Sequence, residues 1–169
     1  DNLKKDDVVI IYNYHLSHLG DKSLRDVRNN LYNMNGDLPL SGKEKFEIYI
    51  DSLIDFTKKA SKKEIKIIFI GSTMRNNLLK LSKKEWFRPF PPKYVFKEEK
   101  KNASLLNSKF KKRLNSIKNI KFFDPINEIP CCKNIEEFEV FFRNNDSNHL
   151  SDYGARLIIK KIIPLISSN

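Results

Sequence analysis

An α/β domain, with a short parallel sheet held between helical layers, is what this sequence predicts, and three observations carry the prediction. Apolar runs without alternation occur at residues 7–12 (Asp-Val-Val-Ile-Ile-Tyr), 65–70 and 120–123, the pattern of strands buried on both faces. Helical periodicities fill the two intervals between those runs. Each interval is long enough for a right-handed crossover back to the same edge of the sheet, which parallel neighbours require. At 169 residues and 19.9 kDa, with 40% hydrophobic residues and a mean hydropathy of -0.54, the chain has the size and apolar content of one soluble globular domain spanning residues 1–169.

The elements follow in order. After the first run, residues 20–40 predict irregular structure. Ser41-Gly42-Lys43-Glu44 fits a capping box, a hydroxyl and a carboxylate three residues apart that satisfy each other's amides at a helix start. Phe46, Tyr49, Ile50, Leu53, Phe56 and Ala60 then recur at helical spacing and predict the apolar face of the first helix. The second strand, Ile65 to Ile70, ends at Gly71. Trp86-Phe87-Arg88-Pro89-Phe90-Pro91-Pro92 is aromatic and proline-rich and reads as irregular, a hydrophobic plug in preference to a substrate-facing loop. A second helix has Leu106, Phe110, Leu114 and Ile117 on one face, with Lys109, Lys111, Lys112 and Arg113 away from it. Asp124-Pro125 closes the third strand. Residues 138–142 predict a further short strand, and Tyr153 to Ile163 a final helix over the sheet, ended by Pro164. Three strands make a thin sheet for this length, and the first begins within ten residues of Asp1, so an earlier strand is expected upstream.

The formal net charge is +11, from 32 Lys plus Arg against 21 Asp plus Glu. Such a charge attracts polyanions, but the lysine pairs scatter along the whole chain beside many Asn and Ile. They read as a solvated surface rather than a nucleic-acid footprint. Cys131 and Cys132 are neighbours, a spacing unsuited to a relaxed disulfide. No apolar run approaches the roughly 20 residues of a membrane span.

Ligands of open parallel sheets sit beyond the carboxyl ends of the strands. Those ends carry Asn13, Tyr14 and His15, then Gly71, Ser72 and Thr73, then Asp124. Asp146-Ser147-Asn148-His149-Leu150-Ser151 immediately precedes the last helix. With one ring nitrogen held by Asp146, or by a backbone carbonyl, His149 would present the other as a general base. The same residues also fit a structural reading, with Asp146 closing a turn and Ser151 as the helix N-cap. Ser72, exposed at a strand-to-loop corner, is a nucleophile on one reading and a turn residue after Gly71 on the other. A separate alternative is a metal-dependent hydrolase, with His15 and His18 at i and i+3 joined by His149 and Asp146 around a zinc-like ion. A third is a basic glycan-binding domain without catalysis.

Asp146-Ser147-Asn148-His149-Leu150-Ser151, followed by Tyr153-Gly154-Ala155, resembles the last conserved block of the SGNH (GDSL) hydrolases. It looks most like the version in the extracytoplasmic domain fused to acyltransferase-3 family membrane O-acyltransferases. The Asp-Val-Val-Ile run, the Ile-Gly-Ser-Thr strand end and the Phe-Asp-Pro strand end follow in the family's order over nearly the whole chain. The resemblance implies a three-layer α/β/α, flavodoxin-like fold lacking its first strand. It implies a Ser-His-Asp arrangement in which His149 is the base and Asp146 orients it. Asn13 and the backbone around Gly71 and Ser72 are the candidates for oxyanion or substrate binding. The family's Gly-Asp-Ser block has no match here, since Gly20-Asp21-Lys22-Ser23 follows a polar loop and carries an inserted lysine. The implied activity is ester hydrolysis or acetyl transfer to a polysaccharide, outside the cytoplasm, with no cofactor. The implied partner is an acyltransferase membrane domain in the same polypeptide; no nucleic acid is expected.

Overall fold

The computed structural model describes residues 2–12, 19, 41–74, 92–129, 137, 140, 141 and 150–167. Its described residues form an α/β fold in which a three-stranded parallel sheet is flanked by helices. In chain order the elements are β1 (Val8–Tyr12), α1 (Gly42–Ser61), β2 (Lys66–Ile70), α2 (Pro92–Leu114), β3 (Ile120–Phe123), α3 (Pro125–Glu128) and α4 (Asp152–Ser167). The strands lie side by side in the order β1-β2-β3. Val9 pairs with Ile67, and Phe69 lies between Ile11 and Phe122.

Period-two alternation divides each strand between two faces. Phe69 and Phe122 point to one face, where Phe69 meets Phe110 of α2 at 4.9 Å and Tyr49 of α1 at 6.4 Å between ring centroids. Both crossover helices therefore pack on the same side, as same-handed crossovers stepping in one direction require. Phe46 and Phe110 join the two helices at 5.2 Å, and outside this contact Arg113 bonds Glu47 and Asp51. Burial beneath that aromatic layer pushes the Tyr49 phenol up to about 12. The opposite face belongs to α4, whose Ile158 and Ile162 are buried over Ile70.

The capping box forms as its sequence predicts: the Glu44 amide donates to Ser41 Oγ at 3.3 Å and the Ser41 amide to Glu44 Oε2 at 2.8 Å. Those bonds, the Ser41 hydroxyl first, hold the Glu44 carboxyl below its ordinary value. At the other end of α1, Ile65 donates to Ala60 O and Glu64 to Ser61 O, with Glu64 at φ 55 in the left-handed region. This is a Schellman ending with a glutamate where glycine is usual.

Four expectations are corrected. Phe56 is 40% exposed, because it lies at the margin of a buried face centred on Phe46, Leu53, Thr57 and Ala60. The proline-rich plug does not extend to Pro92, which opens α2 as a first-turn residue whose missing amide costs the helix nothing. Val140 and Phe141, expected in a strand, are helical; so short an apolar run does not separate the two periods. Helix α4 continues through Pro164 to Ser167, because Ile158 and Ile162 anchor it from within and the proline removes only one amide donor. Residues 20–40, Trp86 to Pro91, Cys131 and Cys132 lie outside the described residues.

Candidate functional site at the carboxyl edge of the sheet

The carboxyl edge is organised by one side chain that reaches it from outside the strands. Asn107, fully buried on α2, accepts from the Ser72 amide at 2.6 Å through Oδ1. Its Nδ2 donates to Ser72 O at 3.0 Å and to Asp124 Oδ1 at 2.7 Å, so both amide hydrogens are used. One asparagine thus ties the end of β2 to the end of β3. Gly71 makes room for it, since a Cβ there would stand 2.7 Å from Asn107 Oδ1 and 3.0 Å from Phe122 Cζ. Asp124 in turn caps α3, accepting from the Ile126 amide at 3.1 Å and from Asn127 Nδ2 at 2.7 Å. Tyr12, the last residue of β1, brings its hydroxyl to 3.4 Å from Thr73 Oγ1. Desolvation raises the Tyr12 phenol above its ordinary value, against the opposing pull of Thr73.

Ser72 sits inside this network. Its side chain is buried, and its hydroxyl donates to Thr73 O at 3.1 Å. The Gly71 amide donates to Phe123 O at 2.8 Å, and the Ser72 amide is held by Asn107. Neither amide is available to an oxyanion while these bonds hold, and the Ser72 hydroxyl is turned into the protein. Ser72 is thus buried at this corner, not exposed.

Helix α4 begins at the same edge. Leu150, the residue after His149, lies beside Tyr12 and Ile70, the final residues of β1 and β2. Ser151 is the helix N-cap: Gly154 N donates to its Oγ at 3.1 Å, and Ala155 N to its carbonyl at 2.9 Å. The Ser151 amide donates to Phe141 O at 3.0 Å, and its hydroxyl faces Val140 O at 2.6 Å and Phe141 O at 3.0 Å. Gly154 lets the two segments meet, because a Cβ there would collide with the Phe141 carbonyl. At the far end of α4, Lys121 Nζ of β3 donates to Leu165 O at 3.3 Å, so the helix runs antiparallel to the strands.

Asp146 and His149, together with Asn13, His15 and His18, lie outside the described residues. Among the described residues there is no group of three or more His, Cys, Asp or Glu that could hold a metal ion. No helix among them is long and apolar enough to cross a membrane. Comparison with family models, with curated proteins and with solved structures gives no significant match.

Asn107 was missed by sequence reasoning, although a signal existed. It is a polar residue on the face of α2 that buries Ala103, Leu106, Phe110 and Leu114. A polar residue on a buried face must find partners there, and these are 35 and 17 residues away in sequence.

Proposed function

We propose that this chain is an SGNH-type domain for ester hydrolysis or O-acyl transfer, with acetyl as the acyl group and a polysaccharide hydroxyl or water as acceptor. His149 acts as general base and Asp146 holds its ring, while the serine that carries the acyl group is not among these 169 residues. The serine hydroxyl loses its proton to His149 as its oxygen attacks the ester carbonyl. The leaving alkoxide takes that proton, and the acceptor repeats the cycle on the resulting serine ester. The reading includes an extracytoplasmic setting and an acyltransferase membrane domain as partner, and it needs no cofactor.

One observation supports it above the rest: Leu150 and Ser151 start α4 at the carboxyl edge, beside the ends of β1 and β2. That edge is where an α/β sheet gathers its chemistry. The motif's last residues and the expected rim therefore coincide. The burial of Ser72 adds to this, since it leaves the corner serine without access to an ester.

The test is a fluorophosphonate probe, which labels activated serines, applied together with a 4-nitrophenyl acetate assay. The 169-residue chain is expected to stay unlabelled and to hydrolyse the ester at background rate. Labelling of Ser72, or hydrolysis abolished by Ser72→Ala, overturns the assignment.

A further inference from the structure

The lysines that scatter along the sequence converge in the fold on one end. Both crossover helices run antiparallel to the strands, so their last turns reach the amino edge of the sheet, where the strands begin. Hydrogen bonds tie three segments together there. The Asp6 amide donates to Glu64 O at 3.3 Å, and Asn119 Nδ2 donates to Thr57 O at 3.1 Å and to Ile65 O at 3.2 Å. Lys4 precedes β1, Lys59, Lys62 and Lys63 close α1, and Lys112 and Lys118 lead from α2 into β3. All six are exposed, and none is paired with an acid among the described residues.

Acids at the same end do little to offset this charge. Lys5 bonds Glu64 at 2.8 Å, Lys58 bonds Asp55 at 3.5 Å, and Asp7 accepts the Lys4 amide at 2.7 Å, which leaves Asp6. Helix C-termini favour cations, and that accounts for Lys59 and Lys112. It does not account for Lys4 and Lys118, which no helix carries, or for Lys63, beyond the end of α1. Two apolar side chains stand among the lysines. Leu3 is 46% exposed beside Lys4, and Phe56 is 40% exposed one turn before Lys59 on the same side of α1.

We infer that the amino end of this domain is an adsorption surface for an anionic lipid bilayer. The six ammonium groups meet the negative headgroups, and Leu3 and Phe56 enter the headgroup layer beside them. The chemistry of the patch selects lipid over other polyanions. Its unpaired cations are all lysines, point charges without the planar fork of arginine that suits nucleic acid, and the nearby Arg113 is held by Glu47 and Asp51. An aliphatic side chain such as Leu3 gains nothing against a sugar-phosphate or glycan chain, but it gains by leaving water for a bilayer. Adsorbed in this way, the domain turns the carboxyl edge of its sheet away from the membrane. The inference stands on the lysines and these two apolar side chains, and does not depend on the acyl-transfer reading.

The test is co-sedimentation of the 169-residue chain with phosphatidylcholine vesicles, either pure or containing about one third phosphatidylglycerol. Binding is expected to the mixed vesicles and not to the pure ones, and it should disappear between about 0.1 M and about 0.5 M salt. Lys62→Glu with Lys63→Glu, and separately Lys4→Glu with Lys118→Glu, should each weaken it by about tenfold or more. Lys97→Glu with Lys101→Glu removes the same charge from the part of α2 before Asn107, beyond the carboxyl edge, and should leave binding within about twofold. The two amino-end pairs lie on separate segments, so either one that circular dichroism shows to be folded suffices for the comparison. Absence of binding to the mixed vesicles overturns the inference, as does an equal loss in the Lys97 and Lys101 variant, which means that net charge alone is read. Tighter binding to heparin or to duplex DNA than to the vesicles identifies a soluble polyanion as the partner and overturns it equally.

Discussion

Asn107 is the residue on which the carboxyl edge turns. Three hydrogen bonds from one buried amide hold the ends of β2 and β3 together, and they satisfy two backbone groups that have no strand partner there. Asn107→Ala leaves the buried Ser72 amide without an acceptor and is expected to cost about 2 kcal/mol, measurable as a shift in urea midpoint. Asn107→Asp is the sharper variant. It keeps the acceptor but sets a second carboxylate against Asp124, so one of the pair must take up a proton in the folded state. A folded-state value raised above the unfolded one makes stability fall as pH rises, so this variant should recover stability on acidification toward pH 4 while Asn107→Ala does not. Gly71 and Asp124 were legible as strand ends at this edge, but the part of Asn107 was not. Asn107, Gly71 and Asp124 are far apart in sequence, and only the packing of α2 across the sheet brings them together.

At the scale of elements, local chemistry was legible wherever the interaction is local. The capping box at Ser41 and Glu44 spans three residues, and the strand runs coincide with β1, β2 and β3 to within one residue. Elements that depend on distant partners were not. Pro164 marks a helix end only if nothing else holds the helix, and Ile158 and Ile162 hold α4 against the sheet. Val140 and Phe141 lie in too short a run for either period to prevail. The cap also yields a pH prediction. Glu44 titrates below its ordinary 4.5 when folded, so its contribution is present above that value and disappears as pH falls through the folded one. The difference in Tm between the native chain and Glu44→Ala, present near neutrality, should therefore shrink as pH falls below the ordinary glutamate value.

Across the whole molecule, a parallel sheet carries two crossover helices on one face and α4 on the other. That layering brings the ends of β1 and β2 and the start of α4 to one rim. The α/β class was legible because buried runs and helical intervals alternate along the chain. The proposed chemistry was legible only as the Asp-x-x-His motif and a resemblance, and the serine expected of it has no motif in this sequence. The proposed function requires that the imidazole of His149 stand over the carboxyl edge, held by Asp146. Isotope-edited NMR of the 169-residue chain tests that claim most directly. Nuclear Overhauser contacts are predicted from the His149 ring to the Ile70 methyls and the Tyr12 ring, with a strongly deshielded imidazole N–H signal that disappears in Asp146→Asn. A His149 ring in contact with neither residue, its signals unchanged by that substitution, would contradict the account.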